Sequence, residues 1–147
     1  MGLITQTTMA GETDLTQLLK TMQPVRQEGE YVFCTLANTT HCPPHLDPVG
    51  YFKEAEGLTL MVPKSQADAA GLAYPAVFAL ITLTVHSSLE AVGFMAAIAT
   101  HLANHGISVN PVSAFYHDHL FVPTKDAERA MALLQSLTDS ACSQSPA

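Results

Sequence analysis

An eleven-residue segment of this chain has a counterpart sixty positions further on. Leu60-Met61-Val62-Pro63-Lys64-Ser65-Gln66-Ala67-Asp68-Ala69-Ala70 aligns with Leu120-Phe121-Val122-Pro123-Thr124-Lys125-Asp126-Ala127-Glu128-Arg129-Ala130, keeping Val-Pro, two alanines and one acid in place. Each copy reads as a strand that runs through Val-Pro into a helix. A strand-to-helix unit repeated in this way argues for duplication, and for two half-domains sharing one sheet. At 147 residues the chain has room for one domain of ordinary size or two very small ones.

The other elements follow from local pattern. Asp14–Met22 reads as a short helix, with Asp14 and Gln17 as a capping box, Leu15, Leu18, Leu19 and Met22 on one face, and Pro24 as its stop. Glu30–Leu36 and Leu58–Val62 read as strands, and Asn38–Glu56, with three prolines and no period, as a loop serving as a lid or packing arm. Lys64–Leu72 reads as a helix. In the second half Val77–Val85 is an apolar, β-branched strand, and Ser87-Ser88-Leu89-Glu90 opens a helix to about Asn104, closed by Gly106. Ile107–Tyr116 and His119–Val122 read as two strands turning near His117–Asp118, and Thr124 as the cap of a last helix, with Asp126 and Glu128 in its first turn. The order β-α-β-β-α implies an α+β fold: an open antiparallel sheet covered by helices on one face.

Composition excludes several functions. A hydrophobic fraction of 48% against 13% charged residues suits a buried core and not a disordered chain. The net charge of −7, with six Lys and Arg in all, disfavours nucleic acid, phosphate ligands and anionic membranes. The longest apolar stretches, near Ala76–Val85 and Ala91–Ala99, fall short of the roughly 20 residues a spanning helix needs. Met1–Ala10 has no basic segment leading into an apolar one, so no secretory signal is expected. Three cysteines (Cys34, Cys42, Cys142) cannot all pair within one chain, which fits a reducing compartment and a cytoplasmic place.

The stretch Gly93-Phe94-Met95-Ala96-Ala97-Ile98-Ala99-Thr100-His101-Leu102-Ala103-Asn104-His105-Gly106-Ile107-Ser108-Val109 resembles the signature of ACT domains, in which a strand-to-helix glycine precedes an amphipathic helix ending in Leu-Ala-x-x-Gly-Ile-x-Val. Ser113-Ala114-Phe115-Tyr116-His117-Asp118-His119-Leu120-Phe121-Val122-Pro123 resembles the hairpin of the ACT units of aspartate kinases and CASTOR-type arginine sensors. The whole chain is similar to small bacterial stand-alone proteins carrying two such units, strongly over Leu83–Leu134 and more weakly before Tyr74. The resemblance implies tandem ferredoxin-like βαββαβ units, over residues 1–75 and 76–140, with 141–147 as a disordered tail. It implies a regulatory protein that binds an amino acid or similar small molecule between units, with no catalysis and no cofactor. The first half shows no counterpart of Gly93, so its sheet is expected to be completed by strand exchange with the second half or another chain. No enzyme domain is visible for such units to regulate.

The candidate site lies in the second half. His86-Ser87-Ser88 ends a strand where a helix starts, and the N–H groups of such a terminus suit a carboxylate. Glu90 belongs to the same capping box, and Gly93, one turn inside the expected helix, would permit close approach by a ligand. The alternative is that Ser87 only caps and Gly93 only packs. Asn110, Ser113, Tyr116, His117 and Asp118 follow on the hairpin, where Asp118 could accept from an ammonium group or simply make the turn.

Metal ligation and catalysis are not expected. His117-Asp118-His119 and the looser set Cys34, His41, Cys42 and His45 lack zinc-site spacing, no HExxH occurs, and there is no GxSxG elbow. Cys34 reads as a small buried hydrophobe, and Met61, Met95 and Met131 as core filler. Completing the sheet and sharing a site both favour a homo-oligomer, a two-fold dimer first. A purely structural or interaction module is the competing reading of the same fold, and a metal-dependent enzyme using the histidines is a more distant one.

Overall fold

Pro63 and Pro123 each close a strand, and the next residue sends its N–H back to the neighbouring strand's carbonyl: Lys64 to Glu30, Thr124 to Val77. The computed structural model describes residues 11–39 and 41–143. In chain order these form α1 (Leu15–Thr21), β1 (Gln23–Arg26), β2 (Tyr31–Ala37), β3 (Gly50–Glu54), β4 (Gly57–Pro63), α2 (Lys64–Ala69), β5 (Phe78–Thr84), α3 (Phe94–Ala103), β6 (Asn110–Ser113), β7 (Asp118–Pro123) and α4 (Ala127–Ser143). The repeat is therefore structural. Leu60 and Val62 on β4, and Leu120 and Val122 on β7, are fully buried on one face, as are Ala67 and Ala127 behind the two prolines. Each such Leu or Val contributes roughly 1.5–3 kcal/mol of burial.

All strand pairs are antiparallel, in the order β3-β4-β2-β5-β7-β6, with β1 also on β5. β1 runs along Ile81–Thr84, and after a turn through Gly29 the chain resumes on the same edge at Tyr31↔Phe78, the register pair that joins β2 to β5. The second unit thus reads β5-α3-β6-β7-α4 with β1 as its outer strand. The first reads β2-β3-β4-α2 with β5 seated beside β2. The exchange expected from the sequence completes the first unit's sheet; in the structure β1 extends the second unit's sheet, and β2 meets β5 at one register pair. Pro24, expected to end the helix, lies in β1, an edge strand of β5 that tolerates its missing N–H.

The helices cover one face. Leu18, Met22, Ile81, Leu83, Ile98, Leu102, Leu120 and Leu134 form the second unit's core. In the first unit the segment 41–49 takes the place of a helix. Leu46 packs on Val32, Cys34, Leu58 and Leu60, and Gln66 latches the arm to α2 through the Asp47 N–H (2.8 Å) and carbonyl (3.3 Å). It is a packing arm rather than a lid. Burial pushes the Cys34 thiol pKa up.

Five expectations change. The expected loop 38–56 contains β3, a largely exposed edge strand without alternation. α3 starts at Phe94 and not at Ser87, because the Ser87 hydroxyl is engaged with a distant carboxylate. The hairpin turns at Phe115-Tyr116, closed by the Ala114 N–H on the His117 carbonyl, so Asp118 lies in β7. Thr124 caps nothing: one 3-10 turn precedes α4, and the buried Thr124 hydroxyl has no hydrogen-bond partner. α4 continues to Ser143, so Ala141–Ser143 of the expected tail are helical, while 144–147 and Met1–Ala10 lie outside the described residues. No described helix is long and apolar enough to cross a membrane.

Candidate functional site

Asp118 opens β7 with its side chain on the helix-covered face, 8% exposed. The Ser87 hydroxyl donates to Oδ2 at 2.9 Å and the Ser113 hydroxyl to Oδ1 at 2.5 Å. Three of the sequence-chosen residues are thereby joined across the β5–α3 loop and the β6–β7 hairpin. Each carboxylate oxygen retains a further lone pair. Beside it lies a cavity of about 60 Å³, with Ser87, Ser88, Ser113 and Asp118 on its polar wall and Leu89, Ala91, Phe94 and Met95 on its apolar wall. The first turn of α3 opens there, and its N–H groups have no intrahelical acceptors.

The loop is held by residues the sequence reading did not single out. Glu12 forms a parallel bridge with Ser87: its N–H donates to the His86 carbonyl (2.8 Å) and its carbonyl accepts from the Ser88 N–H (2.9 Å). Gly11 lies against the same backbone. The partner is 75 positions away, and no local periodicity marks such a crossing. The His86 ring sits 5.3 Å from Tyr116 and 6.1 Å from Phe115. His117 Nδ1 lies 3.1 Å from the Val85 carbonyl, which only accepts, so Nδ1 carries the proton.

Five of the nine chosen residues do not line this cavity: His86 and His117, placed above, and Glu90, Gly93 and Asn110. Glu90 is exposed, and its backbone N–H donates to Ser88 Oγ at 3.1 Å. Gly93 is not inside α3 but just ahead of it, at φ 92°, where it makes the left-handed turn into the helix. Asn110 pairs with Phe121, so it lies on the opposite face of the sheet from Ser113, which pairs with Asp118. Among the described residues no three of His, Cys, Asp and Glu gather to hold a metal ion.

Models of the ACT domain match residues 10–79 and 78–136. A crystal structure of a protein of unknown function from Vibrio cholerae, described as a possible transport protein, is 46% identical, with TM-score 0.75, over 84% of this chain and 95% of that one. This chain belongs to the ACT domain family. An Agrobacterium tumefaciens protein shares the fold at 19% identity (TM-score 0.63, 80% of this chain and 89% of that one). So does the regulatory subunit of aspartate kinase from Thermus flavus, at 10% identity (TM-score 0.58, 78% and 96%). Among curated proteins none matches the chain in sequence. The tandem ACT arrangement accounts for the repeat, and the Asp118 cavity lies at the strand-to-helix loop of the second ACT unit.

Proposed function

We propose that this protein is a regulatory module without catalytic activity that binds a small zwitterion, an amino acid or close relative, at the Ser87–Asp118–Ser113 cavity. The observation that carries this reading is the pairing of a buried acceptor with a helix opening in one cavity. Asp118 suits an ammonium group, and the N–H groups at the start of α3 suit a carboxylate. About 60 Å³ takes the head group of such a ligand and little more, so its side chain must point outward. Leu89 and Val92 on the β5–α3 loop, and Phe115 and Tyr116 at the tip of the β6–β7 hairpin, are exposed by half or more. A second copy set against this apolar rim would cover the ligand, and a two-fold dimer is part of the proposal. So is a cytoplasmic place, which rests on an odd cysteine count that suits a reducing compartment.

The test is a thermal-shift screen against the twenty amino acids. A ligand at 100 times its dissociation constant adds about 2.7 kcal/mol, or roughly 5–10 °C for a chain of this size. A selective shift lost in Ser87→Ala and in Asp118→Asn is the expected result. A flat screen combined with a dimer in sedimentation, abolished by Phe115→Ser with Val92→Ser, would favour the second reading. In that reading the exposed rim serves assembly alone.

A further inference from the structure

The face of the sheet opposite the helices carries a second cavity, of about 320 Å³, between the two units. Met61, Leu80 and Phe121 form its floor and are at most 8% exposed although no described helix packs on them. Tyr31, Val49, Gly50, Val112 and Ala114 complete the walls, and among the described residues no Asp, Glu, Lys or Arg borders it. One end is polar. Gln27 Nε2 donates to Thr82 Oγ1 at 3.0 Å, and Thr82 Oγ1 lies 3.0 Å from His119 Nδ1. With the Thr82 hydroxyl donating to Nδ1, the ring proton sits on Nε2. The pair then offers one N–H donor, from His119, and one carbonyl acceptor, from Gln27. Burial first, and the neighbouring His117 second, lower the His119 pKa, with Asp118 opposing.

The internal repeat shows how the space arises. The offset of 60 that relates β4 to β7 also relates Gly50↔Met61 to Asn110↔Phe121, and an offset of 47 relates Tyr31↔Pro63 on β2 to Phe78↔Pro123 on β5. Leu80 therefore stands where β2 has Phe33, whose ring packs edge-on against Phe78 and Phe121 at 5.4 and 5.0 Å. Gly50 stands where β6 has Asn110. At both positions the residue bordering the cavity is smaller than its repeat counterpart.

We infer that this cavity is a second ligand site, distinct from the Asp118 site, for an uncharged molecule with a flat apolar body and one head group that both donates and accepts. A dry apolar cavity of about 150 Å³ already takes benzene, so the volume here suits a bicyclic ring. A charged ligand would enter unpaired, because the walls supply hydrogen bonds but no counter-ion.

The experiment is a titration of the full chain with 2-naphthol, followed by methyl NMR at Met61, Leu80 and Val112, with 2-naphthoate as the charged comparison. Saturable shifts at these methyls are expected, with 2-naphthoate at least tenfold weaker. Gly50→Val should reduce affinity more than tenfold, because its β-carbon would stand 2.9 Å from Met61 Cε and drive that side chain into the space. Ala114→Leu, at the exposed rim, should do the same if Gly50→Val misfolds. Thr82→Val should cost fivefold to tenfold through the broken hydrogen-bond chain. Ser87→Ala, on the other face, should leave binding within twofold, whether or not any amino acid binds there. The inference is overturned by an absence of saturable shifts, by equal binding of 2-naphthoate, or by affinity that survives both Gly50→Val and Ala114→Leu. It is also overturned if these methyls shift with protein concentration alone, which would place a second copy on this face.

Discussion

A β-carbon on Gly11 would lie 2.6 Å from the Ser87 carbonyl carbon and from the Ser88 nitrogen, and 2.8 Å from the His86 oxygen. All three are backbone atoms, so Gly11→Ala must lift the 11–12 segment off the loop and stretch both Glu12 hydrogen bonds. A loss of about 1–3 kcal/mol is expected, read as a lower midpoint in urea. Gly93 is sensitive for another reason. Its β-carbon would meet only Leu15 Cδ2, at an ordinary 3.5 Å, but φ is 92°. Gly93→Ala should therefore cost about 1–2 kcal/mol of conformational strain, and asparagine at this position less. Equal stability of the alanine and asparagine variants would contradict that account. His119 sets a pH dependence. Its folded pKa lies below the ordinary 6.5, through burial first and the His117 charge second, with Asp118 opposing. Between the folded value and 6.5 the unfolded chain binds more protons, so this residue's contribution is full above 6.5 and is lost as pH falls through the folded value. The drop in melting temperature between pH 7.5 and 5.5 should shrink in His119→Gln, and an unchanged drop would remove His119 from the account.

At the scale of elements, the start of α3 shows where sequence reasoning stops. Ser87-Ser88-Leu89-Glu90 has the letters of a capping box, yet Ser87 Oγ donates to a carboxylate 31 residues later and Ser88 Oγ accepts from Glu90. A tertiary hydrogen bond to a buried charge outweighs a cap worth about 1 kcal/mol. Asp118 was legible as a polar residue near the site, but its burial was not, because the turn was placed two residues too late. Asp118→Ala leaves two hydroxyls without an acceptor and should destabilise by roughly 2–4 kcal/mol, with Asp118→Asn costing about half because one acceptor oxygen remains. The check is amide exchange, in which residues 85–93 should gain more exchange than 97–103; uniform acceleration would mean that Asp118 does not anchor the loop. The strand-to-helix junctions at Pro63 and Pro123 were readable because a short apolar run stopped by proline, and repeated sixty residues on, is a local signal. β3 was not, since a strand with four of its five residues exposed carries no alternation to read. Nor was β1, four residues long and without alternating burial, whose place is set by the edge of β5 that it covers.

For the whole molecule the consequence of β1 on β5 is that neither unit closes its own sheet. The second unit's core also includes Leu18 of α1 and Met22 just after it, fully buried beside Ile81, Leu83 and Leu134. Separating the chain after residue 75, the boundary the resemblance implied, would strip the second unit of α1 and β1 together. It would expose those side chains and the β5 edge, a template for aggregation. Residues 76–143 alone are therefore expected to lack a cooperative unfolding transition. The geometry also supplies the rescue. Cys142 Sγ on α4 lies 3.7 Å from the Lys20 carbonyl on α1, so the end of α4 runs beside the segment it would need to carry. Appending residues 11–27 after Ser143 through a flexible Gly/Ser linker of about ten residues should restore α1 and β1 in place and return a cooperative transition. Circular dichroism through a urea titration distinguishes the outcomes. If the bare fragment unfolds as cooperatively as the permuted one, β1 is a dispensable edge. If only the permuted fragment does, the interlocked strand makes two ACT units fold as one body, and a ligand that steadies the β5–α3 loop acts on both units at once.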